Sequence, residues 1–165
     1  IKCFETILSD NNINEDKLPR YIILNNYAEA YFENKEFEEG LKILEQVLEI
    51  KSTSERAIRN KANALKLLER WELAIEWYGK CFEIDGDLLN LSNKGWCYAQ
   101  LAEEMTDIEI KKQYYANAIE IFDSVIESDE NNYNAYINKA LIFFDLQIHD
   151  KCKNNLEKAI TKKIS

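Results

Sequence analysis

The chain has 165 residues, 46% of them hydrophobic and 31% charged, enough apolar material for one ordinary domain or for several small repeats that share a core. Its 30 acidic residues outnumber its 21 basic ones and leave a formal net charge of -9, which opposes attraction to phosphate backbones and sets nucleic acid aside as a partner. No apolar run approaches the roughly 18 residues of a membrane span, and one proline with four glycines leaves few tight turns and favours an all-α chain.

In chain order, Ile1, Phe4, Ile7 and Leu8 mark one face of a helix with no partner before it. Residues 1–12 therefore read as the second helix of a truncated repeat plus a loop. Asp16 is placed to cap the next helix, with Pro19 in its first turn. That helix carries Leu24, Ala28 and Tyr31, and its partner carries Phe37, Gly40, Leu41, Leu44, Val47 and Leu48. Ser52 and Glu55 have capping-box spacing and open the following helix.

The clearest hairpin follows. Ile58, Ala62, Leu65 and Leu68, then Trp71, Ala74, Ile75, Tyr78, Cys81 and Phe82, form two apolar series at helical spacing. Gly79 inside the second helix predicts a close backbone contact, since glycine there costs about 1 kcal/mol. Gly86 can take the left-handed conformation of a helix end. A third hairpin starts near Leu88 with Leu91, Gly95 and Tyr98. Thr106 and Glu109 predict a capping box, with its second helix beginning near Asp107. A fourth carries Tyr136, Ala140, Phe143 and Leu146, then Cys152, Leu156, Ala159 and Ile160.

The small residues of the first helices, Ala28, Ala62, Gly95 and Ala140, are separated by 34, 33 and 45 positions; those of the second helices, Gly40, Ala74, Ala118 and Cys152, by 34, 44 and 34. Both series give a period near 34 with an 11-residue insertion inside the third hairpin. Eleven residues are close to three helical turns, so the insertion keeps the buried faces in phase. Asn60-Lys61-Ala62, Asn93-Lys94-Gly95 and Asn138-Lys139-Ala140 recur in the same phase.

This order of small and aromatic residues at a 34-residue helix-turn-helix period resembles the tetratricopeptide repeat family. Ala62, Leu65, Ala74 and Tyr78 carry the resemblance best. It implies a right-handed superhelical α-solenoid, a single array with repeats at 18–51, 52–86, 87–130 and 131–165. The first helix of each hairpin would line a concave groove that takes a peptide or a protein surface.

On those helices the candidate peptide-binding residues are Asn25, Asn26, Arg56, Arg59, Asn60, Asn63, Lys66, Asn93, Trp96 and Asn138. An asparagine amide offers both a donor and an acceptor to an extended backbone. Arg56, Arg59 and Lys66 form a basic cluster in an acidic chain and point to an acidic segment in the partner. Trp96, with Phe32 and Phe144, would supply apolar anchorage.

Catalytic and metal chemistry is not expected. His149 is the single histidine, and Cys3, Cys81, Cys97 and Cys152 form no CxxC pair. No glycine-rich phosphate loop or GxSxG elbow is present, so no cofactor is expected. Unpaired cysteines without a disulfide framework fit a reducing cytoplasm. An alternative role is architectural: the unpartnered first helix and the absence of a polar cap after Ile164 would let the array ends associate with one another.

Overall fold

The computed structural model describes residues 1–3, 6 and 18–164. The expected Asp16 cap and most of the leading helix face fall outside the described residues. Eight helices are found among them: α1 (Arg20–Glu33), α2 (Phe37–Ile50), α3 (Glu55–Leu67), α4 (Trp71–Asp85), α5 (Leu88–Glu104), α6 (Ile108–Ser128), α7 (Tyr133–Asp145) and α8 (His149–Ile164). They fall into two compact units, residues 1–70 and 71–165.

In the first unit α1 and α2 pack side by side and α3 closes against both. Leu24 and Ala28 of α1, Leu44 and Val47 of α2 and Ala57 of α3 meet in one buried cluster. Their three- and four-residue spacings put each set on one helix face. Gly40 lies directly beneath the Phe32 ring, where an added Cβ would overlap it. Phe32 also stacks on Phe37, at 6.1 Å between ring centroids, so it serves as packing within the α1/α2 hairpin.

In the second unit α4 packs on α5, α5 on α6, α6 on α7 and α7 on α8. Tyr115, Ala118, Phe122 and Val125 form the buried stripe of α6, meeting Ala102 of α5 and Ala135 and Ile142 of α7. The α5/α6 hairpin is the longest, at 17 and 21 residues where α7 and α8 have 13 and 16. A Cβ on Gly95 would lie 2.9 Å from Ile121 Cγ2, so glycine there permits close approach of α5 and α6.

Several local expectations are corrected. Helix α1 begins at Arg20 with Pro19 as its N-cap rather than inside its first turn. The N-cap of α3 is Ser54, not Ser52; its side chain makes no capping bond to the helix, and its buried hydroxyl accepts from Asn25 Nδ2 at 3.4 Å instead. Helix α6 is capped by Asp107, whose carboxylate accepts from the Glu109 and Ile110 amides; Thr106 does not cap it. Gly79 has no close backbone contact: the nearest atom to an added Cβ is Lys94 Nζ at 3.5 Å, an ordinary van der Waals distance.

The scarcity of glycine is met in an unforeseen way. Lys35, Glu69 and Gln147 all adopt positive φ, at 62°, 56° and 59°. After each, an amide reaches back five residues: Glu36 to the Tyr31 carbonyl, Arg70 to Leu65 and Ile148 to Phe143. These are Schellman turns with non-glycine residues at the left-handed position. Gly86 takes the same conformation at 64°, as its place after α4 predicts.

Candidate functional site

The first-helix faces are occupied differently in the two units. In the first, Glu29 of α1 is the hub. Arg56 grips its carboxylate with two nitrogens, Nε donating to Oε1 at 2.7 Å and Nη2 to Oε2. Asn60 Nδ2 adds a third bond to Oε1 at 2.8 Å. Partial burial raises the Glu29 pKa, but the bonds from Arg56 and Asn60 outweigh it, and the carboxyl ends below its ordinary value. Arg56 thus answers a charge of the chain itself. Arg59 and Asn63 lie exposed on the same helix, and Lys66 is half-buried.

Asn25 is the clear correction among the expected site residues. It is only 2% exposed and faces inward, donating to the Tyr21 carbonyl at 3.2 Å and to Ser54. Its Oδ1 has no partner among the described residues. Asn26, one position on, is half-buried, and it stands 34 residues before Asn60. An asparagine therefore recurs in phase on every first helix as Asn26, Asn60, Asn93 and Asn138, each half-buried.

The second unit carries a concave site. A cleft between α5 and α7 is lined by Trp96, Ala99, Gln100 and Glu103 on one side and Asn138, Leu141 and Ile142 on the other, with Tyr115 and Phe122 of α6 as its floor. Two of the expected residues, Trp96 and Asn138, are brought together here. The repeat phase explains why: each lies on the same face of its own first helix, and α5 and α7 run next to one another.

The cleft's apolar character is exposed on one lip, where Leu141 is 61% accessible. Trp96 is held by an edge-on contact with Trp71, at 5.4 Å and 78°. Trp71 in turn donates through Nε1 to Glu104 Oε1 at 2.5 Å. On the floor, the Tyr115 hydroxyl donates to Asp145 Oδ2 at 2.6 Å, and Lys111 Nζ stands 2.9 Å from the same oxygen. Burial, and then the bond to Asp145, push the Tyr115 pKa up. The Tyr115 bond, followed by Lys111, holds the Asp145 carboxyl below its usual range. Tyr115 is thereby fixed as a neutral, rigid surface at the base of the cleft.

The recurring lysines do work that the sequence does not advertise. Lys61 pairs with Glu45 of the preceding helix at 3.4 Å, and Lys139 pairs with Asp123 of its preceding helix. Both lysine side chains are mostly buried, at 14% and 13% exposed. Lys94 reaches over Gly79 in the corresponding place. Among the described residues no group of three or more His, Cys, Asp or Glu side chains is arranged to hold a metal ion, and no helix is long and apolar enough to cross a membrane. Cys81 and Cys97 are buried, and Cys152 is half-buried.

Comparison with known proteins agrees with this geometry. A family model described as a tetratricopeptide repeat matches residues 21–54. The TPR repeat-containing protein MJ1428 of Methanocaldococcus jannaschii is 24% identical over 160 residues, 97% of this chain. The chain spans about a quarter (25%) of that relative's length. Among solved structures, a crystal structure of MamA superimposes with a TM-score of 0.76 at 15% identity, covering 98% of this chain and 85% of that one. A MamA structure from Desulfovibrio magneticus RS-1 superimposes with a TM-score of 0.72 at 12% identity, over 89% and 77% of the two chains. At these identities the likeness is one of fold, an all-α solenoid of helical hairpins.

Proposed function

We propose that the chain, which is similar to tetratricopeptide repeat proteins, is a protein-interaction scaffold whose α5/α7 cleft seats an extended peptide. The observation that carries this reading is the meeting of the exposed apolar side chain of Leu141 with Asn138 and Trp96 in one concavity. An apolar side chain of the peptide sits against Trp96 and Leu141. Its backbone pairs with the asparagine amide, which can donate and accept at once.

The chemistry of the rim narrows the occupant. Glu103 lines the cleft, so a peptide with an apolar anchor and neutral or basic neighbours suits it better than an acidic one. The acidic-segment reading belongs to the basic cluster of the first unit, Arg56, Arg59 and Lys66, of which Arg56 serves Glu29. No catalytic step is assigned to any residue.

The test is binding to an immobilised array of apolar, basic and acidic peptides, with Leu141→Asp and Asn138→Ala as variants. Both sites are at least partly exposed, so helicity should persist. Selective binding weakened tenfold or more by Leu141→Asp supports the cleft. Binding that ignores both substitutions removes it as the site.

A further inference from the structure

The 11-residue insertion of the third hairpin divides between its two helices. Gln100 is in phase with Asp145, where α7 ends, yet α5 runs four residues further, to Glu104. Tyr115 is in phase with Trp71 and His149, where α4 and α8 begin, yet α6 begins seven residues earlier, at Ile108. These additions are about one and two helical turns, so the buried faces stay in phase while the hairpin gains a projecting end that α7 and α8 do not match.

Between that projection and the turn after α7 lies a cavity of about 220 Å³, lined by Ile108, Lys111 and Lys112 of α6 and by Asp145, Leu146 and Gln147. It shares no lining residue with the α5/α7 cleft and is independent of the role given to that cleft. Its volume falls short of the roughly 300–1,000 Å³ of small-molecule pockets and suits one or two side chains of a partner.

The lining is apolar and rich in donors. Ile108 is 56% exposed, and Leu146 is half-buried against the core around α6. Asp145 is the one carboxylate among these lining residues, and its Oδ2 already takes the Tyr115 hydroxyl at 2.6 Å and Lys111 Nζ at 2.9 Å. An ammonium carries three donors. Lys111 turns one to Asp145 and Lys112 one to Glu109, also at 2.9 Å, which leaves each with others. The Lys112–Glu109 pair stands in solvent, with side chains 54% and 78% exposed, so it holds little of its own energy against an incoming carboxylate. In a chain of net charge -9, two lysines on one apolar cavity select an anionic occupant.

We propose that this cavity is a docking site for an acidic-apolar segment of a partner protein. An Asp or Glu side chain of the segment takes the remaining donors of Lys111 and Lys112, and an adjoining apolar residue covers Ile108 and Leu146. The insertion thereby gives the third hairpin a recognition site outside the concave groove.

The experiment titrates the full chain with labelled peptides that present a Glu-Leu pair in a Gly-Ser background, read by fluorescence anisotropy and by the methyl resonance of Ile108. Control peptides carry Gln-Leu, Glu-Ser or Lys-Leu at the same place. The Glu-Leu peptide saturates and moves the Ile108 methyl, and each control binds at least fivefold more weakly. Lys112→Glu and Ile108→Ser each weaken it at least fivefold with the circular dichroism unchanged, whereas Leu141→Asp in the cleft leaves it intact. Absence of saturable binding overturns the proposal, as does a Lys-Leu peptide that binds as well as Glu-Leu. Binding that survives both Lys112→Glu and Ile108→Ser, or that is lost with Leu141→Asp, also overturns it. Free glutarate that displaces the peptide at equal concentration replaces the partner segment with a small dicarboxylate and overturns the assignment.

Discussion

At the scale of single residues, the three Schellman turns hold the plainest source of unused stability. A non-glycine residue in the left-handed region costs about 1–2 kcal/mol relative to its preferred basin, and glycine removes most of that. Glu69→Gly and Gln147→Gly are each expected to raise the thermal midpoint, by an amount corresponding to about 0.5–1 kcal/mol, since glycine loses more entropy on folding. The two helical glycines behave oppositely. Gly79→Ala meets only the flexible end of Lys94 and should stabilise by about 0.5–1 kcal/mol. Gly40→Ala drives a Cβ into Phe32 and should destabilise by about 1–3 kcal/mol. Chemical denaturation of the four variants checks the set; equal signs for the two alanine substitutions would contradict the packing described.

Asn25 shows why side-chain roles resist reading from sequence. Its neighbour Asn26 has the same chemistry and sits one position away, yet only Asn25 turns inward. The reason is Ser54, 29 residues on, whose hydroxyl meets the Asn25 amide. That partner is invisible until α3 is placed. Arg56 is a similar case, since its bidentate bond to Glu29 depends on the α1/α3 approach. The left-handed turn residues Lys35, Glu69 and Gln147 likewise carry no compositional mark.

At the scale of elements, the helices themselves were legible because burial imposes a period. Gly40, Leu41, Leu44 and Val47 are readable as one face of α2 from their spacing alone, and they are its buried residues. The caps were less legible: Ser and Thr stood near acids at the right spacing in two places, but the chain uses Ser54 and Asp107 instead. The Asn-Lys-small words were visible as repeats, while the lysine's tie to the preceding helix was not.

An element-scale prediction concerns the clip joining α6 to α7. The Asp145 carboxyl titrates below its unfolded value, chiefly through the Tyr115 hydroxyl and then Lys111. A depressed carboxyl stabilises the fold above its unfolded pKa, and the contribution is lost as pH falls through the folded one. Asp145→Asn should therefore lower stability near neutrality by under about 1 kcal/mol, given that the group is partly exposed. The difference from the parent should vanish at strongly acid pH. Parallel denaturation series at pH 7 and at strongly acid pH measure it; a difference that persists in acid would sink the assignment.

At the scale of the whole molecule, the charge balance sets behaviour in solution. With a sequence pI near 4.8 and a net charge of -9 at pH 7, mutual repulsion keeps copies apart at neutrality and fades on acidification. Glu29 is also held below its ordinary pKa, burial being outweighed by the bonds from Arg56 and Asn60. Its contribution too is present above the unfolded carboxyl pKa and lost as pH falls through the folded one. Solubility should accordingly pass through a minimum near the pI while helicity is still retained, a sequence that light scattering and circular dichroism can separate. Helicity lost before any scattering appears would contradict it.

Packing between neighbours along the chain has a kinetic corollary. Each α1/α2, α4/α5, α5/α6 and α7/α8 contact closes through a short connection, and the cost of closing a loop grows with its length. The rate-limiting search is thus brief, and refolding should occur on the microsecond-to-millisecond scale typical of local topologies. Since 11 inserted residues lengthen α5 and α6 rather than the loop between them, that hairpin should nucleate no more slowly than the others.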